Sequence, residues 1–321
     1  MDWLPLVLVG LAITVGFLVV LYMLGNFMRN AKLLAWVQSE LFQVFATGML
    51  ASLIMAWILG TCNFPADMLS GSAEDAGRSI YAVADSYIDW GVLQGVKVFG
   101  LIISANFFVG LTSGFYFAFD PLGVGSRLSP MGAFSQISNI MYVMMSTFMV
   151  SFLVFATQKL IINYIVLAMT YFFLPLGLIM RALSPTREFG GAMVGLALGM
   201  LIFYPLLIVF NKTLVQEPME REFDKMSTDL KNLDVVSVLS QMELMPKKML
   251  VGGISGVINA ALSPLFFAVT LIYLAARSAV YYFIVAVVLP IFNFVFLISI
   301  VKQLSKALGD EVDVTNLTRM I

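Results

Sequence analysis

The sequence predicts an all-α, polytopic integral membrane bundle of about seven to eight transmembrane helices, and three observations carry that expectation. First, 60% of the 321 residues are hydrophobic and only 12% are charged, against roughly 25% charged residues in a soluble domain. Second, the mean hydropathy is +0.96, too apolar for a surface of ordinary size to face water. Third, the apolar residues fall in runs of about 20, the length a helix needs to cross a bilayer. Several runs are rich in Phe, Val and Tyr, but they are apolar on both parities and twice the roughly 10 residues of a transmembrane strand.

The first predicted span is Leu4 to Met28. Asp2 stands ahead of it with no Lys or Arg, the run from Trp3 to Leu24 exceeds a secretory h-region, and no small-residue cleavage pattern closes it. A retained helix is expected. The second span, Leu41 to Gly60, is led in by an amphipathic stretch, Ala31 to Glu40. Val98 to Phe119, Ile137 to Thr157, Leu160 to Met180 and Phe189 to Asn211 follow. The seventh, Ile254 to Ala276, is the weakest, because Gly252, Gly253, Gly256, Asn259 and Pro264 interrupt it; Ala279 to Val301 is the eighth.

Residues 1–321 thus read as one membrane domain with two extramembrane loops. The loop at 61–97 is acidic, holding Asp67, Glu74, Asp75, Asp85 and Asp89 with Arg78, and Ser79 to Leu93 suits a short amphipathic helix. The loop at 212–248 is the most charged part of the chain; Pro218 breaks it early, and Pro246 with Lys247 and Lys248 closes it. Met219 to Leu230 mixes both signs at helical spacing, as a solvated surface helix does, and equally as a docking site for partner subunits. Lys and Arg occur in loops on both predicted faces, so charge bias orients the chain only weakly, with the arginine-bearing face inside.

Composition excludes several chemistries. There is no histidine, hence no imidazole metal ligand, Ser-His or Cys-His dyad, or His relay. The single cysteine, Cys62, makes no internal disulfide. No clustered ligand spacing predicts a metal, and no cofactor is expected. A net charge of -1 supplies no global field for nucleic acid. No GxxxxGK[ST], HExxH or GxSxG pattern occurs, so neither P-loop ATP hydrolysis nor those hydrolase chemistries are predicted. The chain is expected to be no enzyme.

What remains is structural. Gly191, Gly195 and Gly199 form a doubled GxxxG, which puts three glycines on one helix face for close packing. Pro175, Pro205, Pro264 and Pro290 stand inside apolar spans, where each removes a backbone donor, frees a carbonyl and predicts a kink. Few charges fall deep in the spans, and Asn106, Asn139, Asn163, Asn259 and Asn293 are the main polar groups there.

Two stretches carry a resemblance. Asn30 to Leu50, NAKLLAWVQSELFQVFATGML, sets a basic lead-in and Glu40 ahead of an apolar span. Leu174 to Asn211, LPLGLIMRALSPTREFGGAMVGLALGMLIFYPLLIVFN, gives a proline-broken helix, Arg181, the Ser184-Pro185-Thr186-Arg187 turn and a glycine-striped helix. This order resembles the polytopic membrane subunits of archaeal Ced-type DNA-import systems, and the TrbL-like (VirB-type) inner-membrane subunits of type IV secretion. The resemblance covers roughly one fifth of the chain and carries over no substrate-binding residue. It implies a non-catalytic platform or conduit component in the cell membrane. Its partners would be membrane lipids, a separate hexameric ATPase and pilin-like subunits, with self-association and transient DNA contact left open. Apart from the resemblance, Arg181 and Arg187 bracket Pro185 at a predicted membrane edge, where arginines reach headgroup phosphates and anchor helix depth. The alternative function is an autonomous small-molecule transporter or channel, for which related halves are the usual sign; no convincing repeat is present.

Overall fold

The computed structural model describes residues 3–62, 64–71, 75–113, 117–119, 126–128, 134–232 and 266–309. They are helical almost throughout: α1 Trp3–Phe27, α2 Ala31–Cys62, α3 Asp67–Ser70, α4 Ile80–Ser113, α5 Phe134–Ala168, α6 Leu174–Arg181, α7 Arg187–Leu198, α8 Tyr204–Asn232, α9 at 266–283 and α10 Leu289–Gly309. Among the described residues, the departures include an antiparallel pair of short strands, Phe117–Phe119 and Ser126–Leu128, and an isolated antiparallel bridge between Pro65 and Ser79. The third predicted span was expected to stay helical to Phe119; Phe117–Phe119 is instead a strand, as aromatic residues allow, and the described helix is Ile80–Ser113.

Among the described residues, six helical segments are long and apolar enough to cross a membrane, which gives the chain its multi-pass character: Trp3–Phe27, Ala31–Thr61, Ile80–Leu111, Ser135–Arg181, Ser184–Asn232 and Phe266–Gly309. Among the described residues, predicted neighbours fuse into single helical runs. Ile137 to Thr157 and Leu160 to Met180 are one helical run of 47 residues. At 1.5 Å per residue that is about 70 Å, more than twice a hydrocarbon core of about 30 Å. Nothing at the expected break stops a helix: Gln158 is buried and Lys159 pairs with Asp85. The eighth span likewise continues α9. Arg277 pairs with Glu222, and Ser278 Oγ donates to the carbonyls of Leu274 and Ala275, 2.8 and 3.0 Å away. Residues 254–265 of the seventh span, with Pro264, lie outside the described residues.

The chain divides into two compact units. The first comprises Met1–Tyr87, Gln158–Thr213 and Ile291–Ile321. In it α1 and α2 form a helical hairpin closed by a Schellman turn: Asn30 N–H donates to Gly25 O and Arg29 N–H to Asn26 O, at 3.0 and 3.1 Å. Arg29 takes the left-handed conformation at φ 49° that this turn requires. The Asn30 side chain then caps α2, accepting from the N–H groups of Lys32 and Leu33 at 3.2 and 3.3 Å. The Ser184–Asn232 span is the most enclosed, with 67% of its apolar window buried against 22% for α1, whose outer face shows Leu6, Val9, Ile13 and Phe17.

The second unit comprises Ile88–Thr157 and Leu214–Pro290. Its core is aromatic. Tyr282 packs against Phe148 and Phe155 at ring distances of 5.0 and 6.1 Å, Phe148 stacks on Phe99, and Phe108 meets Phe267 edge-on.

Candidate functional site

The first unit concentrates its polar groups where apolar helices have to tolerate them. The α6–α7 hairpin is the starting point. α6 ends at Arg181, Ser184–Thr186 forms one 3-10 turn, and Arg187 opens α7. Thr186 Oγ1 donates to Met180 O at 2.8 Å and ties the turn back to α6. The helices meet at glycines: a Cβ on Gly190 would stand 2.6 Å from Gly177 O.

This hairpin carries a buried charge pair. Arg187 Nη2 donates to Glu40 Oε2 of α2, with the two residues 4% and 6% exposed. Glu40, Gln43 and Thr47 recur at helical spacing and are all buried, so α2 turns a polar stripe inward. Taking both charges out of water costs several kcal/mol each, which only direct pairing offsets. Arg181 is also buried, at 6% exposure, and its Nη1 has no hydrogen-bond partner among the described residues. Of the two arginines expected at a membrane edge, Arg187 is thus paired with a carboxylate of the protein, and Arg181 is buried as well.

Gly191, Gly195 and Gly199 lie along α10. A Cβ on Gly195 would stand 2.7 Å from the backbone nitrogen of Ser305; one on Gly191 would strike the backbone at Gly309, and one on Gly199 the side chain of Val301. Steps of four on one helix meet steps of four on the other. At Gly191 and Gly195 the obstacle is main chain, so the seam admits no side chain at all.

Three of the four prolines predicted to kink spans share one local device. Pro175, Pro205 and Pro290 each stand two residues after a π-helical turn: Met169–Phe173, Gly199–Phe203 and Ile284–Val288. In each, the residue before proline donates to the carbonyl five positions back, Leu174 to Met169, Tyr204 to Gly199 and Leu289 to Ile284. A proline ring collides with the carbonyl four residues back and leaves it without a donor. Widening the preceding turn relieves the collision. At Pro205 the freed carbonyl is that of Leu201, and it accepts the Tyr81 hydroxyl of α4. Three of the four prolines expected to kink helices thus stand beside a π turn.

Two of these turns border a cleft of about 430 Å³ within the first unit. Its walls include Tyr81 and Asp85 of α4, Asn163 of α5, Thr170 of the first π turn and Leu201 of the second. Lys159 Nζ donates to Asp85 Oδ1 at 2.5 Å, the side chains being 29% and 43% exposed. Thr170 is 2% exposed, and its hydroxyl has no partner among the described residues. The residue types are ordinary and far apart in sequence; the one signal available was the pair of opposite charges, Asp85 and Lys159, interrupting apolar stretches.

The predicted loops are ordered where described. From the 61–97 stretch, Asp75 is fully buried and takes Lys212 Nζ on both oxygens at 2.7 and 2.6 Å. Residues 80–97 belong to α4, and 212–232 continue α8 through Pro218 without a break. In the second unit the exposed side of α8 bears Arg221 paired with Glu217, while Glu222 joins Lys225 and Arg277. A groove of about 490 Å³ lies between Trp90, Gln94 and Lys97 of α4 and Glu220, Asp224 and Ser227 of α8. Among the described residues no group of three or more Cys, Asp or Glu is placed to hold a metal ion. No family model, curated protein or solved structure matches the chain.

Proposed function

We propose that the chain is a non-catalytic, multi-pass subunit of a DNA- or protein-transfer apparatus of the type IV secretion kind, set in the cell membrane and driven by a partner ATPase. One observation carries this reading. The two stretches with the resemblance, Asn30 to Leu50 and Leu174 to Asn211, are joined by the buried pair of Glu40 and Arg187, so the quoted residues support one another instead of recurring separately. The charged continuation of α8 past its apolar part offers partner subunits a polar helix to dock on. A second reading, an autonomous small-molecule transporter, is favoured by the polar cleft at the two π turns, since interrupted helices commonly frame solute sites in transporters.

Affinity purification of the tagged protein from its own host in mild detergent, followed by mass spectrometry, separates the two. Stoichiometric recovery of an ATPase with small pilin-like proteins supports the apparatus. Recovery of the protein alone, as a monomer or homo-oligomer, overturns it in favour of the transporter.

A further inference from the structure

The groove of the second unit sets two differently equipped helix faces against each other. Trp90, Gln94, Lys97 and Leu101 line it from α4, and Glu220, Asp224 and Ser227 from α8. Both sets recur at helical spacing, so each helix gives the groove one face. The α4 face supplies donors. Lys97 is exposed, and Gln94 is 8% exposed. Gln94 Oε1 is sealed off without a partner among the described residues, which leaves the N–H groups of the amide as the end a ligand can reach. The α8 face supplies acceptors. Glu220 takes Gln216 on Oε1 at 2.8 Å and keeps its second oxygen. Asp224 accepts Thr228 Oγ1 at its backbone carbonyl, 2.9 Å away. Among the described residues neither the Lys97 ammonium nor the Asp224 carboxylate has a partner, although both line one groove. The other charges of this stretch are paired already, Arg221 with Glu217, and Glu222 with Lys225 and Arg277. Val98, Phe223, Met226 and Leu230 add apolar surface, and the volume of about 490 Å³ suits a small molecule.

We infer that this groove binds an α-amino acid with a large apolar side chain. Its carboxylate meets Lys97 and the Gln94 amide, its ammonium meets Asp224 and Glu220, and its side chain covers the apolar surface of Phe223, Met226 and Leu230. Each part of the ligand answers a part of the wall that packing leaves unused. An amine without a carboxylate leaves the α4 donors unmatched, and an acid without an ammonium leaves the α8 acceptors unmatched; these charge-assisted hydrogen bonds are the strong ones. A small polar amino acid leaves the apolar wall in water. The ligand comes from solution and not from the bilayer, because the sequence from Glu217 to Lys225 is mostly charged, and so many charges hold this stretch of α8 out of hydrocarbon. The site is a property of the groove and stands whether or not the chain serves a transfer apparatus.

The test uses the full chain in phosphatidylcholine nanodiscs and reads the shift of its thermal transition. L-phenylalanine and L-leucine are the probes. Three analogues each lack one part: phenethylamine the carboxylate, 3-phenylpropionate the ammonium, and glycine the apolar body. A dose-dependent shift is expected with at least one probe, at concentrations where the analogues give none. Lys97→Gln and Asp224→Asn should each weaken that response about tenfold, the loss of one charged hydrogen bond, and Gln94→Leu should weaken it several-fold. Lys97 and Asp224 are exposed, so the transition without ligand should stay at its wild-type position in both variants, and a lost response is separable from damage to the fold. An equal shift with phenethylamine or 3-phenylpropionate, an undiminished response in either charge variant, or no shift with either amino acid overturns the assignment.

Discussion

The two compact units solve helix packing in opposite ways. In the first, glycines bring main chain against main chain: Gly190 lies on Gly177, Gly191 on Gly309, and Gly195 on Ser305. In the second, glycines make notches for rings: Gly91 faces Phe155, and Gly95 faces Tyr282 and Phe152. Charges divide similarly. Glu40 with Arg187 and Asp75 with Lys212 are largely enclosed, whereas Arg221 and Glu217 on α8 are 70% and 73% exposed. A backbone seam tolerates no substitution and a buried pair no truncation, while a ring can move and an exposed charge is solvated either way. The first unit should therefore be the rigid one, and mutation can break that contrast.

The largest effect is expected at the buried pair. Glu40→Ala leaves the guanidinium of Arg187 enclosed without its carboxylate, and breaking such a pair costs about 3–5 kcal/mol. Replacing both partners, as Glu40→Met with Arg187→Leu, should restore most of that loss, because neither partner's charge then remains to be solvated. Equilibrium unfolding in bicelles measures both. A single truncation costing under about 1 kcal/mol would mean the pair is hydrated and the unit is not closed there.

The glycines come next. Gly195→Ala and Gly91→Ala should each cost about 1–3 kcal/mol through overpacking. The sharper difference is rescue. Phe155→Leu should recover stability in Gly91→Ala, since the atoms an added Cβ would strike are Cε1 and Cζ of the Phe155 ring, which leucine lacks. Ser305→Gly should not rescue Gly195→Ala, because the Ser305 backbone nitrogen remains at the same 2.7 Å. Rescue in both units would erase the distinction.

These contrasts were only partly legible in the sequence. The membrane helices were, since long apolar runs report directly on burial in lipid or protein. Their joins were not. Gln158-Lys159 and Arg277-Ser278 look like breaks by polarity, but helices end at conformational signals, and neither site has a glycine or proline to supply one. The glycine stripe shows as a four-residue period, while its partner on α10 lies more than a hundred positions away and nothing local encodes it. The prolines are visible as residues, and their π turns are not, because widening a turn is the backbone's response to the ring. Asp75 and Asp85 read as solvated acids until Lys212 and Lys159 are placed beside them. Arg187 reads as a lipid anchor until Glu40 is.

A smaller effect tests the hydroxyl at the second π turn. Tyr81→Phe removes the hydroxyl that α4 donates to the Leu201 carbonyl, and should cost about 1 kcal/mol. If the proline is what makes that carbonyl dependent on Tyr81, Pro205→Ala should shrink the penalty, because an alanine N–H can return to Leu201. A double-mutant cycle reads the coupling, and additive effects would dissociate the hydroxyl from the proline.

The smallest effect belongs to α8. Arg221→Ala removes a pair that spans one helical turn in solvent, worth about 0.3–0.5 kcal/mol and screened by salt. Its stability should barely change, and raising the salt concentration should remove what change there is. A loss of several kcal/mol would show that this stretch is enclosed, and the charged surface of the second unit would then have to be regarded as a buried interface. A negligible loss accompanied by release of co-purifying subunits would separate the two uses of charge: in the first unit to hold the fold, on α8 to be recognised.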